Sequence, residues 1–400
     1  MKICFITSSF PRYEDDTSAP WLFRLCDELS KKGLNISIFA PSYKGLKQKN
    51  YRGLPVYRFR YFFAPFETLT HDDKAPAQIH RFFYKIIIAV YAASGCVNSF
   101  FYFIFKKYDI IGVHWPFPQA LFGIIGKYLT GAKLVYHFYA SELLLIKQNR
   151  FTKMVFNFLM LFADGVVTIS SFTAGLVNKE IGNKIQMDII PYGSTIPEAM
   201  IKQPEKTQNA SDNPINLLFA GRLIERKGLM YLLKAAKILN RQNVPFSLAI
   251  VGDGYQKELL AEYISLNHLD DKVVLKGEIS VAELVNEYRK CDIFIFPSII
   301  DKRGDTEGLG CAAIEALMFK KPVIASNVGG IVDIIYDNKT GFLVPEKDAS
   351  AIVNKILFVR DNYILATKLA EAGHEHVKEN FSWNTITAKF IKTYKGYEQN

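Results

Sequence analysis

The sequence predicts a two-lobed α/β protein, each lobe a doubly wound parallel sheet flanked by helices, and three observations carry that expectation. The chain has 400 residues, about two to three times a typical single domain, so two separate cores are expected. Short β-branched or aromatic runs alternate with longer amphipathic ones through both halves, which is the pattern of parallel strands joined by crossover helices. Between the halves, the stretch from Ser194 to Pro214 is rich in Pro, Gln, Asn, Ser and Lys and has no apolar periodicity, as a hinge would.

Taken in order, the expected strands of the first lobe are Lys2–Thr7, Asn35–Ala40, Val56–Tyr61, Ile110–His114, Lys133–His137, Gly165–Ile169 and Met187–Ile190. Helices fill the gaps, for instance Trp21–Lys32, which Gly33 is expected to close. The N-terminal apolar run is too short for a signal peptide and reads as the first strand, so export is not expected. The second lobe repeats the scheme with expected strands at Ile215–Ala220, Ser247–Val251, Val273–Lys276, Ile293–Phe296 and Pro322–Ala325. The segment Phe82–Phe105 has Lys85 as its only charge and is long enough to cross a bilayer. A spanning helix would, however, separate strands that share one sheet. Ser94, Gly95, Asn98 and Ser99 instead predict a break into two helices, packed on the lobe or lying at an interface.

Composition narrows the function. With 49% hydrophobic and 22% charged residues, the chain is neither disordered nor collagen-like. Its five cysteines, Cys4, Cys26, Cys96, Cys291 and Cys311, form no C-x-x-C pair. That argues against a disulfide framework or a thiolate metal site and points to a reducing, cytoplasmic compartment. The net charge of +10 is lopsided: residues 1–200 hold 23 Lys or Arg against 14 Asp or Glu, whereas residues 201–400 hold 26 against 25. A basic face can meet nucleic acid, an anionic membrane or an acidic substrate. Without zinc-finger spacing or an RNP motif, nucleic acid is disfavoured. Lys44, Lys47, Lys49, Arg52, Arg58 and Arg60 alternate with Tyr43, Tyr51, Tyr57, Phe59 and Tyr61, which predicts docking on an anionic membrane surface; the plainer alternative is a solvated basic face.

Two segments of the second lobe carry candidate chemistry. Gly221-Arg222 through Lys227-Gly228 leaves a strand and enters a helix, a turn that exposes backbone N–H groups to an anion while Arg222 and Lys227 add cations. Asp305-Thr306-Glu307-Gly308-Leu309-Gly310-Cys311 precedes a helix bearing Glu315. Gly308 and Gly310 free the backbone to approach a ligand. Helical geometry places Glu307 and Glu315 ~12 Å apart along the axis, which suits opposite ends of one elongated ligand and disfavours a shared proton or metal. The plain alternatives are a helix-end charge for Glu307 and an exposed surface carboxylate for Glu315. Gly252-Asp253-Gly254 has Lys257 in place of the third glycine of a dinucleotide fingerprint, so NAD is not expected.

Gly221-Arg222-x4-Lys227-Gly228, Gly252-Asp253-Gly254, Lys276-Gly277-Glu278, Pro297-Ser298, Glu307-Gly308-x6-Glu315-Ala316, Pro322-Val323-x-Ala325-Ser326-x2-Gly329-Gly330 and Thr340-Gly341-Phe342-Leu343-Val344-Pro345 stand in a fixed order. In that order and spacing the chain resembles the family 4 retaining glycosyltransferases of GT-B fold, most densely over residues 215–345. The first lobe resembles them more loosely, through Phe5-Ile-Thr7-Ser-Ser-Phe-Pro11, His114-Trp-Pro-Phe-Pro and Tyr136-His137-Phe-Tyr-Ala-Ser-Glu142. Two departures stand out: Asp15-Asp16-Thr17-Ser18-Ala19-Pro20 where many members have a Gly-Gly pair, and Gly310 where Pro is common.

The resemblance implies two Rossmann-like lobes facing across a cleft: an acceptor lobe (1–194), a hinge (195–214), a nucleotide-sugar lobe (215–380) and a C-terminal helix (381–400) returning to the first lobe. It implies transfer of a hexose-type sugar from a nucleoside-diphosphate donor to a saccharide or lipid-linked acceptor, with retention, no metal and no cofactor. Residues matching Arg222 and Lys227 bind the diphosphate in similar enzymes, that matching Glu315 the ribose and that matching Glu307 the transferred sugar. The amides of Gly308, Leu309 and Gly310 would meet sugar hydroxyls, Ile279 would lie by the nucleobase, and His137 would contact a donor-sugar hydroxyl. His114 and His137 could instead be satisfied core histidines. Competing readings are a sugar-nucleotide epimerase or phosphorylase on a similar frame, or an inactive glycan- or membrane-binding scaffold.

Overall fold

The computed structural model describes residues 1–13, 16, 19–70, 82–144, 150–181, 187–201 and 214–399. The chain divides into two compact units, Met1–Tyr192 with Ile386–Asn400, and Gly193–Thr385. Of the loop before Pro20, positions 15, 17 and 18 lie outside the described residues, as do positions 202–213 of the expected hinge.

In the first unit the order is β1 (Lys2–Ile6), α1 (Pro20–Lys31), β2 (Asn35–Pro41), β3 (Asn50–Tyr51), β4 (Leu54–Phe59), α2 (Phe82–Phe103) and β5 (Ile110–His114). It continues with α3 (Pro116–Thr130), β6 (Lys133–Phe138), α4 (Arg150–Met160), β7 (Gly165–Thr168), α5 (Ser171–Ile181) and β8 (Met187–Ile189). The sheet runs β3-β4-β2-β1-β5-β6-β7-β8, parallel except for the short antiparallel pair of β3 with β4. Ile3-Cys4-Phe5-Ile6 is buried on both faces, which is why an unbroken apolar run rather than an alternating one makes the central strand. Right-handed crossovers place α1 on one face and α2 to α5 on the other, because the chain steps one way from β1 to β2 and the opposite way from β4 to β8.

One expectation for this unit is corrected, and another is only partly matched by burial. The segment expected to break is one continuous helix, α2. Its small polar residues are satisfied locally: Ser94 Oγ donates to the Arg60 carbonyl at 2.6 Å and Asn98 Nδ2 to the Ser94 carbonyl at 2.8 Å. Gly95 serves close packing rather than a bend, since a Cβ there would sit 2.1 Å from Cζ of Phe122 on α3. The basic and aromatic run of residues 43–61 is divided: Lys44, Lys47, Lys49, Arg52 and Arg60 are exposed, while Arg58 and three of the aromatics are internal. Tyr51, Phe59 and Tyr61 are buried, buried Arg58 donates to the carbonyls of Phe10 and Pro11 at 3.1 and 2.7 Å, and Arg60 pairs with Glu67 at 2.7 Å.

The second unit comprises β9 (Ile215–Ala220), α6 (Leu229–Arg241), β10 (Phe246–Val251), α7 (Lys257–Leu266), β11 (Val273–Gly277), α8 (Val281–Lys290) and β12 (Ile293–Phe296). After these come α9 (Cys311–Met318), β13 (Val323–Ser326), β14 (Phe342–Val344), α10 (Ala349–Asp361) and α11 (Tyr363–Asn380). Its sheet is parallel throughout, in the order β11-β10-β9-β12-β13-β14. The short β3 and β14 carry too little periodicity to be read from sequence. The last helix, α12 (Trp383–Gln399), begins in the second unit, and from Ile386 on it belongs to the first.

Candidate functional site

In an open parallel sheet the strand order reverses at one point, and the loops there diverge and leave a crevice beyond the carboxyl ends of the strands. In the second unit that point lies between β9 and β12. The loop after β9 holds Arg222 and, in a 3-10 turn at Glu225–Lys227, the residues Arg226 and Lys227. The loop after β12 holds Ser298 and Glu307. The two loops are joined directly. Ile299 N–H donates to the Arg226 carbonyl at 2.8 Å, and Gly228, at φ 67°, lets the turn approach Pro297 so closely that a Cβ would lie 1.9 Å from its carbonyl oxygen.

That junction brings together side chains 80 residues apart. Lys227 Nζ meets Glu307 Oε2 at 2.5 Å, and Arg226 Nη1 meets Glu307 Oε1 at 3.2 Å. Arg226 also reaches Asp305 at 3.5 Å, and the Lys227 ammonium lies 4.6 Å from the Phe296 ring centroid, a cation–π contact. Burial pushes the Glu307 carboxyl up, yet the ammonium and guanidinium outweigh it and hold the group at about 2. Burial lowers the Lys227 pKa while Glu307 pulls it back up. Arg222 is exposed on the same loop. The cluster of three cations and two carboxylates therefore keeps a positive excess, fitted to an anion. Arg226 was missed from sequence, although it sits beside Lys227 in the same basic run.

The Glu307 loop rests on glycine. Gly330 N–H donates to the Glu307 carbonyl at 2.9 Å. A Cβ on Gly329 or Gly330 would lie 2.1 Å from the carbonyl oxygens of Glu307 and Gly308 respectively. Gly310 takes φ 112° as it opens α9, a conformation closed to proline. Leu309 is fully buried, so this loop can offer a ligand its backbone rather than that side chain.

Glu315 lies on α9 in a separate polar cluster. It is 6% exposed, which overturns the surface-carboxylate alternative. Its Oε1 accepts from Ser194 Oγ, Thr195 Oγ1 and Thr195 N–H at 3.4, 3.3 and 3.4 Å, and its Oε2 accepts from Tyr288 O–H at 3.1 Å. Burial raises its pKa against the opposing pull of these donors. Ser194 and Thr195, read from sequence as the edge of a hinge, thus belong to this cluster, and Tyr288 was not foreseen. Ile279 is half-buried just before the capping box of α8, in which Ser280 and Glu283 exchange hydrogen bonds. Among the described residues, no group of three or more His, Cys, Asp or Glu side chains could hold a metal ion.

In the first unit the strand order reverses between β1 and β5, and there the His114 and His137 rings stack with centroids 4.4 Å apart. His114 Nδ1 bonds Tyr139 Oη at 2.5 Å, and His137 Nε2 bonds Tyr394 Oη of α12 at 3.0 Å. Both rings are buried. Burial holds His137 down at about 3 and, with His137 beside it, pushes His114 well below its usual value. In this structure His137 occupies the place of a packed core histidine, the alternative weighed above, rather than an open sugar contact.

Comparison with known proteins follows the same division. Residues 20–194 match the family described as Glycosyltransferase Family 4, and residues 201–376 match Glycosyl transferases group 1. An uncharacterised glycosyltransferase of Methanocaldococcus jannaschii is 25% identical over 72% of this chain and 75% of its own length. A GDP-mannose-dependent alpha-(1-6)-phosphatidylinositol monomannoside mannosyltransferase of Mycolicibacterium smegmatis is 28% identical over 58% of this chain and 63% of its own. The chain spans about half the length of several other curated relatives. Sucrose-phosphate synthase from Thermosynechococcus elongatus has the same fold, with a TM-score of 0.77 at 20% identity over 99% of this chain and 98% of that one.

Proposed function

Since this chain belongs to the family 4 glycosyltransferases, with their GT-B fold, we propose that it moves a hexose-type sugar from a nucleoside diphosphate to an acceptor hydroxyl, with retention at the anomeric carbon. The acceptor is a saccharide or a lipid-linked glycan in polysaccharide or glycolipid assembly at the cytoplasmic side of a membrane. The observation that carries the reading is the cationic junction of Arg222, Arg226 and Lys227 at the strand-order reversal between β9 and β12, where a departing diphosphate would find charge already in place.

On this reading Arg222 and Lys227 bind the diphosphate. The bond from anomeric carbon to diphosphate oxygen breaks as the acceptor oxygen attacks the same face, and the acceptor proton passes to the β-phosphate oxygen as that oxygen gains charge. No separate side-chain base is needed. Glu307, fixed by Lys227 and Arg226, meets the transferred sugar, and the amides of Gly308 to Gly310 meet its hydroxyls. Glu315 takes the ribose and Ile279 borders the base. We assign His137 to packing. The mannosyltransferase relative, by its name, uses a nucleotide sugar and a glycolipid acceptor, which supports the substrate classes.

The test is a panel of nucleoside-diphosphate sugars screened by thermal shift, followed by donor hydrolysis and transfer assays with and without EDTA and by NMR of the product anomer. One donor should raise Tm, be slowly hydrolysed, and give product of unchanged anomeric configuration at a rate that EDTA leaves intact. No shift with any donor would overturn the reading, and an inverted product or a strict metal requirement would overturn the mechanism.

A further inference from the structure

Three helices on one face of the first sheet turn apolar stripes outward. On α2 the stripe runs through Phe83, Ile86, Val97, Phe100 and Phe101, all exposed, and continues past the end of the helix through Ile104 to Phe105, 93% exposed. Neighbouring α3 adds Leu121 and Tyr128. On α4 the stripe is Phe151, Met154 and Phe158, continued by Leu161 just past the helix and 78% exposed, while Phe156, Leu159 and Met160 on the opposite side fill the core. Helix α4 thus carries apolar residues on both its core side and its outer side, with Arg150, Lys153 and Asn157 on the face between, a pattern with no use on a wetted surface. Only 33% of the most apolar window of α2 is buried.

We propose that this face docks flat on an anionic lipid bilayer. Charge identifies the occupant. The three helices carry Lys85, Lys127, Arg150 and Lys153 and no Asp or Glu, and Lys106 and Lys107 follow α2 directly. Lys127 and Lys153 pair with Asp164 and Glu180 at 2.8 and 2.9 Å, so the exposed Lys85, Lys107 and Arg150 carry the positive excess of the face. Basic residues around inserted aromatic and aliphatic groups suit an acidic headgroup layer. A second copy of the chain would instead set these like charges against one another across a self-complementary interface. Helix α2 is long and apolar enough to cross a membrane. It nevertheless connects β4 to β5 within one sheet, so it lies along the surface over ~30 Å. The basic run of residues 43–61 keeps Lys44, Lys47, Lys49, Arg52 and Arg60 exposed and touches this helix where Tyr57 O–H donates to Asn98 Oδ1 at 3.0 Å.

The experiment is co-sedimentation of the full chain with vesicles of phosphatidylcholine alone and of phosphatidylcholine with phosphatidylglycerol. The wild type should bind the anionic vesicles and lose that binding as salt rises. Phe101→Ser with Phe105→Ser should abolish it, and Lys85→Glu with Lys107→Glu should weaken it by at least about tenfold. Ile364→Ser with Leu365→Ser, exposed apolar residues on α11, should leave it unchanged. Melting curves check that each variant folds, and the salt series on the wild type gives an answer independent of any variant. Equal or negligible binding to both vesicle types would overturn the proposal. So would a wild-type dimer that Phe101→Ser with Phe105→Ser dissolves without any vesicle binding. Vesicle binding does not depend on sugar chemistry, so its failure would leave the transferase reading standing.

Discussion

Lys227 Nζ and Glu307 Oε2 lie 2.5 Å apart, both side chains buried, on loops that leave the adjacent strands β9 and β12. Each holds the other charged in a place where neither would be stable alone. Any ligand that engages Lys227 must therefore act on a pair; loss of Glu307 strands Lys227, whereas loss of Lys227 leaves Glu307 to Arg226 at 3.2 Å.

Lys227→Ala and Arg222→Ala should both lower turnover by at least about a hundredfold, because leaving-group stabilisation in a closed site is worth several kcal/mol. They should differ in stability. Arg222 is exposed, and its loss should leave Tm nearly unchanged, whereas Lys227→Ala removes one of the two cations that hold buried Glu307 and should lower Tm. Steady-state kinetics with melting curves on both variants checks this, and near-normal turnover in both would remove the assigned roles.

Glu307→Gln should reduce kcat, since the amide can neither neutralise Lys227 and Arg226 nor hold them in place. Glu315→Gln should mainly raise KM, because a ribose contact exists in ground and transition state alike. A kcat loss at unchanged KM for Glu315→Gln would count against the ribose assignment.

Gly330→Ala should impair donor binding without removing any side chain that could touch the donor. The added methyl would meet the Gly308 carbonyl oxygen at 2.1 Å, backbone that can yield only by moving the Glu307 loop. Isothermal titration with the cognate donor should show at least about tenfold weaker binding. Unchanged affinity would mean that the loop accommodates the methyl freely.

Acid should destabilise the first unit before the second. His137 folds with its pKa near 3 and His114 well below its usual value, so the unfolded chain binds these protons more tightly than the folded one. Stability present in full above about pH 6.5 is lost as pH falls, by ~1.4 kcal/mol per pH unit for each histidine until its folded value is reached. Glu307, held at about 2, loses its contribution only below about pH 4.3, where the unfolded carboxylate begins to protonate. Hydrogen exchange at pH 7.5 and 5.5 should show faster opening of β5 and β6 at the lower pH, with β9 and β12 little changed. His137→Gln should flatten the dependence.

By itself the sequence determined both parallel sheets and the order of the second-unit motifs. Those features are local: an unbroken apolar run such as Ile293–Phe296 has one stable use, a strand buried on both faces, and a turn such as Gly221–Gly228 needs its glycines and cations close together in the chain. Tertiary structure alone decided which charges meet. Nothing near Glu307 in sequence announces Lys227 or Arg226, because their encounter depends on β9 and β12 lying side by side at the point where strand order reverses. The same holds for α2. Ser94, Gly95 and Asn98 read as a helix break by local propensity, but Phe122 needs the space at Gly95, and the hydrogen bonds of Ser94 and Asn98 are met by carbonyls nearby. Arg58 looked like a surface cation because sequence shows charge and not depth, and only the packed sheet places the carbonyls of Phe10 and Pro11 where they satisfy it inside.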